Sequence, residues 1–142
     1  MKKLKPIFMA LFLGTLFAFI IFNESTKDTY AYQSYNALII QIGVFTKEEY
    51  ALDMCKKYGG IISYEDNVYK VYFSILSRET NIDFIRDYLN NMKINYYLKK
   101  AYIDDRLLSM INNYEEAMEK SSDDKTKLEI NNEILKIYKD RG

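Results

Sequence analysis

The middle of this chain repeats itself, and that repeat limits its fold more than any other feature. Shifted by 31 positions, Ile40 falls on Val71, Ile42 on Phe73 and Val44 on Ile75. Thr46 then falls on Ser77, Ala51 on Ile82, Met54 on Ile85 and Tyr58 on Leu89. Each copy reads strand, cap, helix. Ala37–Phe45 is rich in strand formers. Thr46 to Glu49 has the form of a capping box, in which hydroxyl and carboxylate satisfy free amides reciprocally. Ala51, Met54, Cys55 and Tyr58 fall on one helical face. Gly59 and Gly60 accept the left-handed conformation that ends a helix, and Ile61–Glu65 reads as a second strand. After a turn at Glu65–Asn67, Val68–Leu76 is the third strand. Ser77 is placed to cap a helix with apolar face Ile82, Ile85, Leu89 and Met92, and Ile94–Ile103 is the fourth strand. Two copies are too few to stack as a solenoid. The predicted fold is therefore α+β: two split βαβ units in the ferredoxin-like order βαββαβ. Strands one and three lie side by side in an antiparallel sheet, with both helices on one face.

Strand alternation assigns the faces. Ile40, Ile42, Val44, Val71, Phe73 and Ile75 are expected to meet the helices. Ile39, Gln41, Gly43, Lys70, Tyr72 and Ser74 are expected to point the other way, on a face that no helix is left to cover. Two readings of that second face stand: an ordinary solvated surface, or a shallow binding surface bearing an amide, an ammonium and a phenol on adjacent strands.

Composition removes whole classes of chemistry. Histidine is absent and cysteine occurs once. Ser-His-Asp and Cys-His catalysis, His-ligated zinc, Cys-rich zinc sites and an intrachain disulfide are all excluded. Cys55 sits on the apolar helix face and reads as core. Adjacent carboxylates occur at Asp104-Asp105, Glu115-Glu116 and Asp123-Asp124, but neighbours on a helix diverge by about 100° and cannot converge on one substrate. The chain is read as a non-enzyme without cofactor or metal. Basic and acidic residues balance at 20 each, which leaves no net charge to attract nucleic acid. The βαββαβ order also occurs in RNA-recognition folds, but the aromatic pattern and basic patch of those folds are missing. No nucleic-acid partner is expected.

The first 36 residues stand apart. Residues 1–6 are basic, through Lys2, Lys3 and Lys5, and residues 7–22 run apolar without a charge. As a helix the apolar stretch spans roughly 24 Å, a little short of a hydrocarbon core. It reads as a single-pass anchor, with a cleaved signal peptide as the alternative; no small-residue cleavage pattern follows it. In both readings the lysines stay inside and the rest of the chain crosses the membrane. Residues 23–36 are a polar linker.

Gln41-Ile-Gly-Val-Phe45, followed by Thr46-Lys-Glu-Glu-Tyr-Ala51, resembles the opening of a SPOR (sporulation-related) domain, whose pattern is Q-x-G-[AS]-F before a capped helix. Tyr69-Lys-Val-Tyr-Phe73 resembles the start of that family's second half. The likeness covers residues 37–103 and extends to the plan of tail, anchor, linker and external domain. The resemblance implies a membrane-anchored protein that binds peptidoglycan glycan strands stripped of their peptides, at division or sporulation septa, through the open sheet face. By position it implies roles for Gln41 and Lys70. Tyr72 and Tyr97 join them as rings for stacking on sugars, on the face assignment alone. Val44 replaces the family's small or hydroxyl residue, Ser74-Ile75 replaces its Gly-Pro or Gly-Phe, and tryptophan is absent. These departures favour the alternative: a degenerate SPOR-like module that docks a membrane or septal protein.

Residues 104–142 read as two helices. Leu107, Ile111, Tyr114 and Met118 line the first; Leu128, Ile134, Leu135 and Tyr138 line the second. They either pack on the domain, or on each other as a hairpin, or serve a protein partner.

Overall fold

The computed structural model describes residues 35–141. The basic tail, the apolar anchor and all but the last two residues of the linker lie outside the described residues. Among the described residues no helix is long and apolar enough to cross a membrane.

The described residues are α+β, with one four-stranded antiparallel sheet and four helices. The elements run β1 (Ala37–Phe45), α1 (Glu48–Tyr58), β2 (Ile61–Glu65), β3 (Val68–Leu76), α2 (Glu79–Asn91), β4 (Tyr97–Ala101), α3 (Asp105–Lys120) and α4 (Asp124–Asp140). Across the sheet the order is β2-β3-β1-β4, so the two long strands are central as the repeat requires. The β2–β3 hairpin turns on Asp66 and Asn67, both at positive φ (54° and 62°). This is the two-residue geometry that follows the strand twist, and Asp and Asn tolerate it. Gly59 and Gly60 (φ 89° and 105°) end α1. A Cβ at Gly60 would sit 2.7 Å from the Tyr72 carbonyl oxygen, so the close approach to β3 also demands glycine.

Four details correct the sequence reading. Neither repeat helix is capped by its own hydroxyl: α1 starts after Lys47 and α2 after Arg78, with no side-chain cap from either residue. Met92 lies beyond the end of α2 and is exposed. Regular pairing of the fourth strand is confined to Tyr97–Ala101, inside the longer expected run. Asn36, assigned to the linker, belongs to the fold: its amide bridges the Ile103 backbone in both directions (2.7 and 2.9 Å) and its N–H donates to Ala101.

The largest correction concerns the second face of the sheet. The sequence reading leaves it open; the α3–α4 hairpin covers much of it. On β3, Phe73 stacks on Tyr88 of α2, with ring centroids 6.0 Å apart. The next residue, Ser74, donates to Asn131 of α4 at 2.6 Å. Val71 pairs with Gly43, whose face meets Met54 of α1, so the next residue, Tyr72, points the other way, within electrostatic reach of Tyr138 on α4; α4 lies on the side away from α1. The described residues form three layers: α1 and α2, the sheet, and the hairpin. Val71 to Leu76 are buried without a break, as in a strand covered on both sides. Ile39, expected on the open face, is buried as well.

A bulge accounts for the rest. The β1–β3 register pairs Ile40 with Ser74, Gln41 with Tyr72 and Gly43 with Val71, skipping Phe73 on one strand and Ile42 on the other. An irregularity of this kind changes the phase of side-chain alternation beyond it. Gly43, assigned to the open face, turns toward α1, where a Cβ would lie 2.6 Å from the Phe45 ring and 3.4 Å from the Met54 methyl. Val44, assigned to the core, is half exposed.

Candidate functional site

The four residues singled out from the sequence share a neighbourhood but differ in access. Gln41 stands directly across from Tyr72 on β3 and from Tyr97 on β4. The three therefore form one row across the central strands and an edge. Gln41 is partly exposed and Tyr97 is 64% exposed. With Ile42, Gly43, Asn95 and Tyr96 they line a shallow cleft of about 200 Å³ at the β4 edge. Tyr72 is fully buried, so its ring is unavailable for stacking on an external ligand. This overturns the expectation of an exposed phenol.

Tyr72 is held by charge instead. Its hydroxyl donates to Glu65 Oε1 (2.8 Å) and accepts from Lys99 Nζ (3.0 Å). Lys99 also reaches Glu65 Oε2 (2.8 Å), Ser63 donates to Oε1 (2.6 Å), and Lys70 stands 3.5 Å from Oε2 and 3.2 Å from Asp66. Burial pushes the Glu65 carboxyl up, but the hydrogen bonds from Lys99, Ser63 and Tyr72 outweigh it and hold it down at about 2. The same carboxylate pushes Lys99 up against the cost of its burial. Tyr138 of α4 lies within electrostatic reach of this cluster, its own hydroxyl raised by burial, and Arg141 donates to that hydroxyl at 2.6 Å. Lys70 is thus an ion-pair partner with 15% of its side chain accessible.

Acidic residues that the sequence reading noted only as adjacent carboxylates do the fastening, together with Asn131, which it did not single out. Glu115 is fully buried at the start of α2. It accepts from the backbone N–H groups of Ser77 (3.0 and 3.1 Å) and Arg78 (2.9 Å), from the Ser77 hydroxyl, and from Asn81 Nδ2 (3.4 Å). The cap expected from Ser77 is supplied by a carboxylate from another helix, set against the positive end of the α2 dipole. Asn131 accepts from Ser74 and donates to the Phe73 carbonyl at 2.9 Å, the residue that the bulge takes out of register. Asp104 caps α3 through Leu107 N (3.0 Å), and Asp123 caps α4 through Thr126 N (3.1 Å). The paired acidic residues therefore include three structural caps. One sequence signal pointed to closure of the face: Val71-Tyr-Phe-Ser-Ile-Leu76 is nearly continuous in apolar residues, the pattern of a strand buried on both sides.

Among the described residues no cluster of metal-ligating side chains occurs. Cys55 is half-buried, and burial pushes its thiol up, away from the reactive thiolate. Comparison with protein-family models, with curated proteins and with solved structures gives no match.

Proposed function

We propose that this chain is a non-enzymatic, membrane-anchored SPOR-like module with a ferredoxin-like core. It binds denuded peptidoglycan glycan strands outside the cell membrane, in division or sporulation, through the part of the sheet that its own hairpin leaves open. The observation that carries this reading is the row of Gln41 and Tyr97 along the cleft at the uncovered edge. An amide suits the hydroxyl and N-acetyl groups of a glycan, and an exposed ring suits the C–H face of a sugar. A surface this shallow fits weak binding, roughly micromolar or weaker. The full-length chain in detergent micelles should sediment with amidase-treated sacculi, and Gln41→Ala with Tyr97→Ala should release it. Equal sedimentation of wild type and double variant would refute the site.

Burial of Tyr72 favours a second reading: a SPOR-like interaction module that docks a membrane or septal protein through its C-terminal helices. Met110 and Tyr114 of α3 are exposed. On this reading, Met110→Ser with Tyr114→Ser abolishes localisation of a tagged copy, while the Gln41 and Tyr97 variants leave it intact. The glycan reading requires the reverse.

A further inference from the structure

At the end of the sheet where β1 runs out, four aromatic rings form one run. Phe45 on β1 stands directly across from Tyr69 on β3, and Tyr69 directly across from Tyr64 on β2. Side chains paired in this way lie on the same face. The Tyr64 and Tyr69 ring centroids are 4.7 Å apart, and Tyr50 of α1 adds a fourth ring 6.5 Å from Phe45. Phe45 and Tyr69 are half-buried, but Tyr50 is 50% exposed and Tyr64 60% exposed. The phenol hydroxyls of Tyr50, Tyr64 and Tyr69 have no hydrogen-bond partner among the described residues. Lys47, the residue before α1, holds its ammonium 5.9 Å from the centre of the Tyr50 ring. The Phe45 ring lies against Gly43 on the side of Met54 of α1, so the run is on the face opposite Tyr72 and the Gln41 row.

Contact between cross-strand rings steadies a sheet, but it does not require the two outer rings to stand half in water. Isolated exposed rings are ordinary, whereas a contiguous run marks a surface that meets a ligand. The chemistry of the run selects the ligand. Neighbouring strands lie about 4.8 Å apart, so the rings on β1, β3 and β2 recur at close to the length of one sugar in an extended β-linked glycan. Ring faces take sugar C–H faces, and free phenol hydroxyls exchange hydrogen bonds with sugar hydroxyls and N-acetyl groups. Hydrolysis of the amide that joins a peptide stem to its sugar frees a carboxylate on that sugar. Lys47 brings a positive charge to one end of the run, where such a carboxylate is attracted.

We propose that Tyr50, Phe45, Tyr69 and Tyr64 form a second glycan-binding surface, on which successive sugars of a denuded strand lie on successive rings with a freed carboxylate beside Lys47. The identity of the ligand rests on the glycan reading; the surface is separate from the cleft at Gln41 and Tyr97.

Sedimentation of the full-length chain in detergent micelles with amidase-treated sacculi tests it. Tyr50→Leu with Tyr64→Leu keeps apolar bulk but removes the flat rings, and should cut binding about tenfold. Tyr50→Phe with Tyr64→Phe keeps the rings and should bind within about threefold of wild type. Both positions are exposed, so circular dichroism melts of all three proteins should nearly coincide; should the leucine pair unfold, Tyr64→Leu alone carries the test. Lys47→Gln should cut binding severalfold at low salt, and the difference from wild type should vanish at high salt. If wild type sediments and the leucine variant sediments equally, this surface is overturned and the glycan reading rests on the cleft alone. A loss confined to untreated sacculi would assign the rings to peptide stems and overturn it too. If wild type itself does not sediment, the glycan reading fails, and the ligand assigned to the run fails with it.

Discussion

Replacing Glu115 with alanine should be among the most damaging single changes on α3, although its neighbour Glu116 is dispensable. Glu115 is buried and serves the Ser77 and Arg78 amides, the Ser77 hydroxyl and Asn81. The alanine variant orphans the two backbone N–H groups at the positive end of α2. Each buried donor left unmet costs about 1–3 kcal/mol, and loss of a cap alone costs about 0.5–2 kcal/mol. Water entering the vacated space offsets part of this. The expected loss is about 3–4 kcal/mol, a large share of the roughly 5–15 kcal/mol that holds a domain folded. With a urea slope of about 2 kcal/mol/M, the midpoint falls by roughly 1.5–2 M. Urea unfolding followed by far-ultraviolet circular dichroism measures it. Glu116 is exposed and paired only with Lys120 at 2.9 Å, so Glu116→Ala should stay within about 0.5 kcal/mol. Glu115→Gln keeps one acceptor oxygen but aims an N–H₂ group at donors, and should fall between the two. If Glu115→Ala matches Glu116→Ala, the carboxylate does not hold α2 and the account of the fastening is wrong.

Other expectations are as direct. Tyr72→Ala should cost about 3–5 kcal/mol of stability as a buried aromatic truncation, and Tyr72→Phe about 1–2 kcal/mol through lost charge-assisted bonds to Glu65 and Lys99; denaturant melts separate them. Gln41→Ala and Tyr97→Ala should each stay under about 1 kcal/mol in stability, yet weaken sacculus binding by roughly tenfold. Val44→Thr, at a half-exposed position, should change stability by less than about 0.5 kcal/mol. Glu65, held at about 2 against an ordinary value of 4.5, should contribute stability that is fully present above the ordinary value. That contribution is lost as pH falls toward about 2, because the unfolded chain takes up the proton first. Acid melts of Glu65→Gln should lack this limb, and a carboxyl titration by nuclear magnetic resonance should place Glu65 well below the other glutamates.

The backbone plan was legible because it rests on local signals. The 31-residue repeat located β1, α1, β3 and α2, Asp66 and Asn67 marked the hairpin, and Gly59-Gly60 marked the end of α1. What escaped depends on distant partners. Ser77 looked like a cap because hydroxyls cap locally, but a carboxylate 38 positions away took the role. Val44 looked like core because alternation was counted through a bulge that no residue type announces. Gln41 and Tyr72 were expected on adjacent central strands, and they do pair across β1 and β3. Tyr72 was misjudged because covering its face requires knowing where α3 and α4 go, and the apolar stripes on Ile111, Met118, Ile134 and Leu135 said only that they must cover something.

That cover also gives meaning to Ser74-Ile75, one of the places where the chain differs from the SPOR pattern it resembles. Where the resemblance calls for glycine followed by proline or phenylalanine, this chain has Ser74-Ile75. In the structure the Ser74 hydroxyl is the donor to Asn131, and Asn131 in turn supplies the Phe73 carbonyl with a donor where the bulge breaks the register. A glycine at that position would leave the Asn131 oxygen without this partner at a fully buried site, a cost of about 1–3 kcal/mol. Serine and the hairpin therefore belong to one arrangement: a strand that binds ligand openly has no use for that hydroxyl, and a strand covered by α4 does. Ser74→Gly should loosen the hairpin without touching Gln41 or Tyr97, so a rise in amide hydrogen exchange across the hairpin with the cleft intact is the signature that the departure serves closure.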